Sequence, residues 1–216
     1  MHTLNRAFPA FPLFLLATAL LLGSCRPPHI ELSTEHKDAI ATVTVRNEIG
    51  MPESAFYVGP AFNLGALFGG VIGALIAEGT VEAKDLITQL VETEEVDLKA
   101  IVREEINQPF VESNPVGTVV DANGDAEFQF NVSAYGLHKR GWGFLDVGPY
   151  VAIHAKLVKR DGSVVWEKTE NLGVTDDRPV QSFDEWMNDL DALREGFRHV
   201  TKIAVAYLVE DLKKAR

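Results

Sequence analysis

The stretch AEFQFNVSA, residues 126–134, decides the fold of this chain. Its apolar members fall at every second position: Ala126, Phe128, Phe130, Val132 and Ala134. This period of two is typical of a strand with one buried face. A second alternation runs from Val151 to Leu157, turns through RDGS at 160–163 and returns at Val164 and Trp166. The pattern predicts antiparallel strands that share one buried face.

Other segments predict a first strand and a layer of helices. Residues 39–46 alternate with β-branched side chains, which favours a strand. Residues 81–110 carry apolar positions at helical spacing, interrupted around 92–97, so they predict two consecutive helices or one bent helix. The capping box SFDE at 182–185 opens a helical pattern that ends near Lys214. We therefore expect an α+β fold: a two-layer sandwich with a mainly antiparallel sheet and helices on one face.

The N-terminal 24 residues have the organisation of a secretory signal. Arg6 is followed by sixteen uncharged residues and then by small ones, and this apolar stretch is shorter than the ~20 residues that span a bilayer. We expect residues 1–24 to be removed. Removal takes away one arginine and no acid, so the net charge changes from −11 to −12. This acidity argues against binding of nucleic acid or of anionic lipid as the main activity.

The run Leu22-Gly23-Ser24-Cys25 resembles the lipobox of bacterial lipoproteins, whose cysteine is acylated before cleavage. The resemblance implies lipidation of Cys25 and membrane attachment through that lipid. Arg26 stands where an Asp commonly retains such proteins at the inner membrane, so the resemblance implies the outer membrane. Because Cys25 is the single cysteine, the mature domain can form no internal disulfide. We expect residues 25–38 to be a polar tether and 39–216 to be one periplasmic domain.

Residues 55–79 form a glycine-rich apolar segment. Gly65, Gly69 and Gly73 recur every four residues, which on a helix places them on nearly one face. Such a stripe lets another backbone approach closely, as in GxxxG pairing. Three interpretations are open: the segment packs against its own domain, contacts or enters a membrane, or forms a homo-oligomer contact.

A glycine-flanked loop is expected between two of the predicted strands, at 136–148. It contains basic and aromatic residues that suit a partner or a membrane surface: Lys139, Arg140, Trp142 and Phe144. The alternative is that the two aromatic rings pack on the sheet.

No catalytic, metal-binding or cofactor-binding motif is found. The run DANGD at 121–125 begins like a calcium loop, but Ala126 and Val132 replace the glycine and the glutamate that such a loop requires. Asn123-Gly124 instead predicts a hairpin turn. G-x-S-x-G and H-E-x-x-H motifs are missing from the sequence, and His154 is expected to be an exposed strand residue. We expect a protein that is not an enzyme and holds no metal or cofactor.

The phrase GPYVAIHAKLVKRDGSVVW at 148–166 is similar to a hairpin of envelope lipoproteins with a TolB-N-terminal-like or curli-channel-like core. The resemblance implies partner binding or assembly. The first hypothesis is therefore a non-enzymatic accessory or scaffold in an envelope complex. The second is an oligomeric pore or export subunit that uses the glycine-rich segment. The third is a small-molecule-binding or hydrolytic domain, which a deep polar pocket joining His154 to an acid would favour.

Overall fold

The computed structural model describes residues 29–59, 82–139, 146–172 and 178–214. Five helices lie in these ranges: α1 Thr34–Asp38, α2 Ala83–Glu92, α3 Leu98–Ser113, α4 Phe183–Asn188 and α5 Leu190–Lys213. The same ranges contain six strands: β1 Thr42–Gly50, β2 Phe56–Val58, β3 Thr118–Val119, β4 Ala126–Lys139, β5 Val147–Lys159 and β6 Val164–Leu172.

The sheet is mixed and curled. Its order is β3-β1-β4-β5-β6, and β2 pairs with β4 beyond the end of β1. Strands β4, β5 and β6 are antiparallel, as predicted, but β1 joins β3 and β4 in parallel and β2 joins β4 in parallel. The α+β class is confirmed, whereas the flat two-layer sandwich is replaced by a half-barrel. The parallel pairs arise because long crossovers separate β1 and β2 from their partners.

The connection from β3 to β4 is not the predicted hairpin. Both strands flank β1 and run parallel to it, so they do not pair with each other. The connection closes against the start of β1, where the Asp125 carboxylate accepts hydrogen bonds from the backbone and the hydroxyl of Thr42, at 3.0 and 2.9 Å. A side chain at Gly124 would collide with the β1 backbone. The glycine is therefore required by close approach of two chain segments.

The core lies between one face of the sheet and the two long helices. Helix α5 contacts α3, β5 and β6, and its buried stripe includes Phe197, Val200, Ala204 and Leu208. On the sheet, Phe128 meets Phe110 of α3 with ring centroids 4.8 Å apart and Trp166 of β6 at 6.3 Å. Burial of apolar surface at about 25 cal/mol per Å² is the main term that stabilises this layer.

A bulge in β4 reverses which side chains face the core. The register against β5 shifts between Val132 and Ala134. The predicted alternation holds up to Val132, but beyond the bulge Tyr135 and Leu137 are buried, and Ala134 is partly exposed. One extra residue changes the parity of a strand and increases its local twist.

The helical predictions differ from the structure only in their divisions. Residues 83–113 form two helices, α2 and α3, joined by a turn in which Glu94 has a φ of 60°. The predicted capping box is present, since the Ser182 side chain accepts from the amide of Glu185. The C-terminal helical pattern is divided at Asp189, which caps α5.

The described part of the predicted tether, residues 29–38, is attached to the domain. Ile30 exchanges two backbone hydrogen bonds with Glu167 of β6, at 2.8 and 3.0 Å. Leu32 is buried, and α1 follows at once, capped by the Ser33 side chain. Within the described residues, contacts with the packed domain thus start at His29 and Ile30, inside the segment that was predicted to be a tether.

Candidate functional site on the outer face of the sheet

The face of the sheet opposite the core carries polar side chains that remain partly or fully exposed. They come from three neighbouring strands: Glu127, Gln129, Asn131, His154, Lys156 and Thr169. Strand periodicity explains the arrangement, since these residues alternate with the buried ones of β4, β5 and β6. We call this surface the outer face.

An open groove of about 410 Å³ lies on the outer face. Arg46, Glu48 and Gly50 of β1 form one side, and His154 and Lys156 of β5 form the other. Gln129 and Asn131 lie between them on β4. A Cβ at Gly50 would collide with the Asn131 side chain, so the glycine makes room for this amide. The groove offers cationic, anionic and amide groups at short range.

Glu167 of β6 organises the β5 side of the groove. Its Oε1 atom lies 2.8 Å from Nε2 of His154 and 3.1 Å from Nζ of Lys156. The residue is only 8% exposed. Burial raises the pKa of this carboxyl, but the hydrogen bonds from Lys156 and His154 outweigh it and hold the pKa below its ordinary value. Glu167 is therefore a charged, partnered carboxylate at neutral pH.

A second ion pair lies on the β1 side. The Arg46 guanidinium contacts Oε2 of Glu127 at 2.6 Å, and the Gln129 amide donates to the same oxygen at 2.8 Å. Burial raises the pKa of Glu127, yet these hydrogen bonds more than offset it and lower the pKa overall. On each side of the groove one cation is thus held by a carboxylate, Lys156 by Glu167 and Arg46 by Glu127.

The chemistry available to His154 is limited. With Nε2 directed at a carboxylate, this atom carries the proton, and Nδ1 is left as the possible acceptor. The carboxylate orients the imidazole in the way that an acidic residue orients the histidine base of a catalytic pair. However, within the described ranges no hydroxyl or thiol group hydrogen-bonds the imidazole, so His154 has no nucleophile to activate there.

A second polar cluster joins the N-terminal segment, β6 and the end of α5. Asp211 accepts from the Trp166 indole at 3.0 Å and from Lys168 Nζ at 2.7 Å, and His29 lies 3.8 Å away. Burial raises the pKa of Asp211, but the hydrogen bonds from Lys168 and Trp166 and the charge interactions hold it below its ordinary value. Lys37 also donates to the Leu212 carbonyl at 3.4 Å. We call these contacts, together with the Ile30–Glu167 bridge, the N-terminal clasp.

Aromatic rings surround a glycine near the far end of β4. Phe56 of β2 and Tyr150 of β5 lie opposite Gly136 on its two sides, and their ring centroids are 4.8 Å apart. A side chain at Gly136 would collide with the Phe56 carbonyl oxygen. The rings cover the backbone that the glycine exposes, in the manner of aromatic rescue.

The predicted loop is shorter than 136–148, because β4 extends to Lys139 and β5 begins at Val147. Its base is fixed, since the Trp186 indole donates to the Val147 carbonyl at 2.8 Å and Gln181 pairs with Val147. Lys139 is half-buried at the end of β4. Arg140, Trp142 and Phe144 lie outside the described residues, as do Cys25 and the glycines Gly65, Gly69 and Gly73. The roles expected of them stay predictions.

Sequence reasoning placed His154 on the polar face of its strand but missed Glu167 and Asp211. The partner of Lys156 could have been found, because Lys156 and Glu167 lie equally far from the RDGS turn and pair directly across the hairpin. No comparable local signal identifies Asp211, whose partners come from three separate parts of the chain.

Two structural features are missing from the described residues. They contain no group of three or more His, Cys, Asp or Glu side chains arranged to hold a metal ion. None of their helices combines the length and the apolar character that a membrane span requires.

Comparison with protein families and with curated proteins gives no match. Comparison with solved structures, in contrast, finds several that are similar to this chain. A Xanthomonas campestris protein of the family DUF330 has a TM-score of 0.43 and 13% identity, over 85% of this chain and 86% of its own. A Caulobacter crescentus protein described as a putative lipoprotein has a TM-score of 0.36 and 13% identity, over 54% and 80%.

PelC from Paraburkholderia phytofirmans, a dodecamer, has a TM-score of 0.34 and 12% identity, over 88% of this chain and 92% of its own. All three scores lie below 0.5, so these similarities do not decide function.

Proposed function

We propose that this chain is an outer-membrane lipoprotein, anchored through acylated Cys25, whose domain is a non-enzymatic adaptor that binds another envelope component through its outer face. The observation that carries the proposal is the double role of Glu167. Its backbone receives Ile30, five residues after Cys25, and its carboxylate orders the groove through His154 and Lys156. One residue thus connects the anchor side of the domain to the polar groove on the outer face.

The polar character of the groove supports binding over chemistry. Two of its cationic side chains are held in ion pairs, Lys156 by Glu167 and Arg46 by Glu127. Because both cations are partly exposed, a partner surface of mixed charge can exchange these contacts at a limited cost in desolvation. Catalysis would instead require an activated nucleophile or a bound water beside His154.

Photo-crosslinking in living cells tests the adaptor role. A benzoyl-phenylalanine placed at Gln129, on the outer face, should give an adduct of defined mass. The same probe at Glu195, on the exposed side of α5, should not give that adduct. Replacing Cys25 by Ala should abolish the Gln129 adduct, because the domain would no longer be held beside its partner.

Equal adducts from Gln129 and Glu195 would contradict an outer-face binding site. Labelled palmitate tests the anchor separately: the natural chain should incorporate it, and the Cys25→Ala chain should not. A natural chain without label would remove the lipid anchor from the proposal, whatever the crosslinks show.

A second candidate function, a hydrolytic or small-molecule-binding domain, is favoured by one observation. His154 and Glu167 are joined beside a polar groove, although the groove is open and is not the deep pocket that this hypothesis names. If the domain hydrolyses an activated ester, both His154→Gln and Glu167→Gln should remove the activity, and Glu195→Gln, on the exposed side of α5, should retain it. A rate unaffected by His154→Gln would exclude this candidate.

A further inference from the structure

The N-terminal clasp fixes where the chain leaves the domain. Ile30 is held to β6 by two backbone hydrogen bonds, and His29 lies beside Asp211 near the end of α5. Five residues connect Cys25 to Ile30, and a fully extended chain covers at most 3.3–3.6 Å per residue, or about 18 Å in total. The polar layer of a bilayer leaflet takes up about 5–8 Å of this reach.

The remaining reach of about 10–13 Å is short compared with the domain. A folded chain of this size has a radius of gyration of about 16 Å and is correspondingly more than 30 Å across. Once Cys25 carries acyl chains in a leaflet, the domain therefore cannot turn freely. The residues that surround Ile30 must face the lipid.

These residues have the chemistry of a membrane interface. The described chain leaves four large apolar side chains exposed, and two of them belong to this region: Ile30 at 38% and Tyr207 at 44%. Tyr207 lies one helical turn before Asp211, so it shares the face of α5 on which the clasp is built. Tyrosine is enriched at bilayer interfaces because its ring is apolar and its hydroxyl is wet.

One ion pair lies close to Tyr207 on α5. Lys214 follows Tyr207 by two helical turns and pairs with Glu210 at 4.0 Å. This pair adds no net charge beside Tyr207, so we expect apolar contact to determine the affinity of this surface and anionic lipid to have little effect.

We infer that the patch formed by Ile30 and Tyr207 rests on the lipid surface of the leaflet that holds the Cys25 acyl chains, with the N-terminal clasp fixing this orientation. The inference rests on the lipid anchor of the proposed function and adds a defined face. It also sets the direction of the groove, which extends across β5, β4 and β1 and ends three strand spacings, or about 14 Å, from the clasped edge at β6.

Spin labelling of the lipidated full chain tests the inference. Because Cys25 is the single cysteine and is acylated, Tyr207→Cys introduces the one reactive thiol. Val111→Cys is the matched control: Val111 is exposed at 51%, and α3 contacts β3, at the sheet edge opposite β6. Each chain is labelled with a nitroxide and bound to vesicles of phosphatidylethanolamine and phosphatidylglycerol.

The label at 207 should be reached several-fold better by oxygen, which concentrates in lipid, than by a water-soluble nickel chelate. The label at 111 should show the reverse. Replacing the anionic lipid by phosphatidylcholine should leave both results unchanged. Equal accessibility at the two positions in vesicle-bound protein would overturn the inference and leave the lipid anchor intact.

A second variant tests the clasp itself. Ile30→Pro removes the backbone N–H that bonds to Glu167. The protein should stay bound to vesicles, with an unchanged circular dichroism spectrum, while the label at 207 loses its preference for oxygen. An unchanged preference would show that the bridge does not orient the domain. Failure of the unaltered chain to sediment with vesicles would instead refute the anchor, and the inference with it.

Discussion

The two faces of strands β4 to β6 are formed by alternate residues of the same strands, yet they differ in the interactions that hold their side chains together. The core face packs fully buried aromatic rings such as Phe128 and Trp166 against helices. The outer face pairs carboxylates with amino, guanidinium and imidazole groups at distances of 2.6–3.1 Å. The core face therefore determines stability, and the outer face is available for recognition.

The strongest test of this contrast is Phe128→Ala. The ring is fully buried and meets Phe110 and Trp166, so its loss leaves a cavity that rigid neighbours cannot fill. We expect a decrease of about 3–5 kcal/mol in the free energy of unfolding, measured by urea denaturation. The adjacent outer-face change Gln129→Ala should cost less than about 0.5 kcal/mol. Similar costs for the two would remove the distinction between the faces.

Gly136→Ala should be the next most damaging change. The new methyl group would collide with the Phe56 carbonyl oxygen and separate β2 from β4. We expect a loss of about 3 kcal/mol.

Gly162 offers the comparison, because its φ is 85° but nothing lies within 4 Å of a Cβ placed there. Gly162→Ala should cost only the backbone strain, about 1 kcal/mol. Thermal unfolding of the two variants separates collision from strain, and a larger loss for Gly162→Ala would contradict the close approach.

Asp211→Asn tests a polar cluster that supports the core face. The variant weakens the bonds to Trp166 and Lys168, and we expect a loss of about 1–3 kcal/mol at pH 7. Because folding lowers the pKa of Asp211, its contribution is complete above the ordinary pKa of 3.8 and disappears as the pH falls through the lower value in the folded protein.

The stability gap between the natural chain and Asp211→Asn should therefore shrink as the pH is lowered below 3.8. Asp191→Asn is the control, since the Asp191 side chain is 91% exposed and should show almost no gap at any pH. A gap for Asp211→Asn that is constant from pH 7 to pH 3 would mean that charge is not its source.

The smallest effect on stability is expected from Asn131→Ala in the groove. The residue is exposed, so unfolding should change by less than about 0.5 kcal/mol. If the outer face binds a partner, the same change should weaken the crosslink formed from Gln129. A normal crosslink in this variant would place the partner elsewhere on the outer face.

Local patterns predicted those elements whose structure depends on nearby residues. The alternation of 126–132 identified the buried face of β4, and the capping box at Ser182 identified the start of α4. The bulge after Val132 escaped prediction because Ser133 fits either face of a strand. The parallel partners of β1 escaped it because their pairing depends on contacts across the whole domain.

The candidate site likewise contains some residues that local patterns predict and others that they do not. His154 could be placed on the polar face of β5 by counting residues, and the symmetry of the RDGS turn could have supplied Glu167. The attachment of Ile30 to β6 could not be predicted, because a single bridge between distant segments has no periodic signal in the sequence.

The placement of β1 between β3 and β4 has a consequence for how the domain folds. Thr42 meets Asp125 across 83 residues of chain, so β1 cannot pair until most of the protein is available. Contacts of such long range slow folding, because the entropy of closing a large loop is lost before any pairing stabilises it. In a chain that crosses a membrane with its N terminus leading, β1 would emerge before the strands with which it pairs. Both β1 and β2 would stay unpaired until β3 or β4 follows, since Thr42 pairs with Thr118 and Phe56 pairs with Gly136.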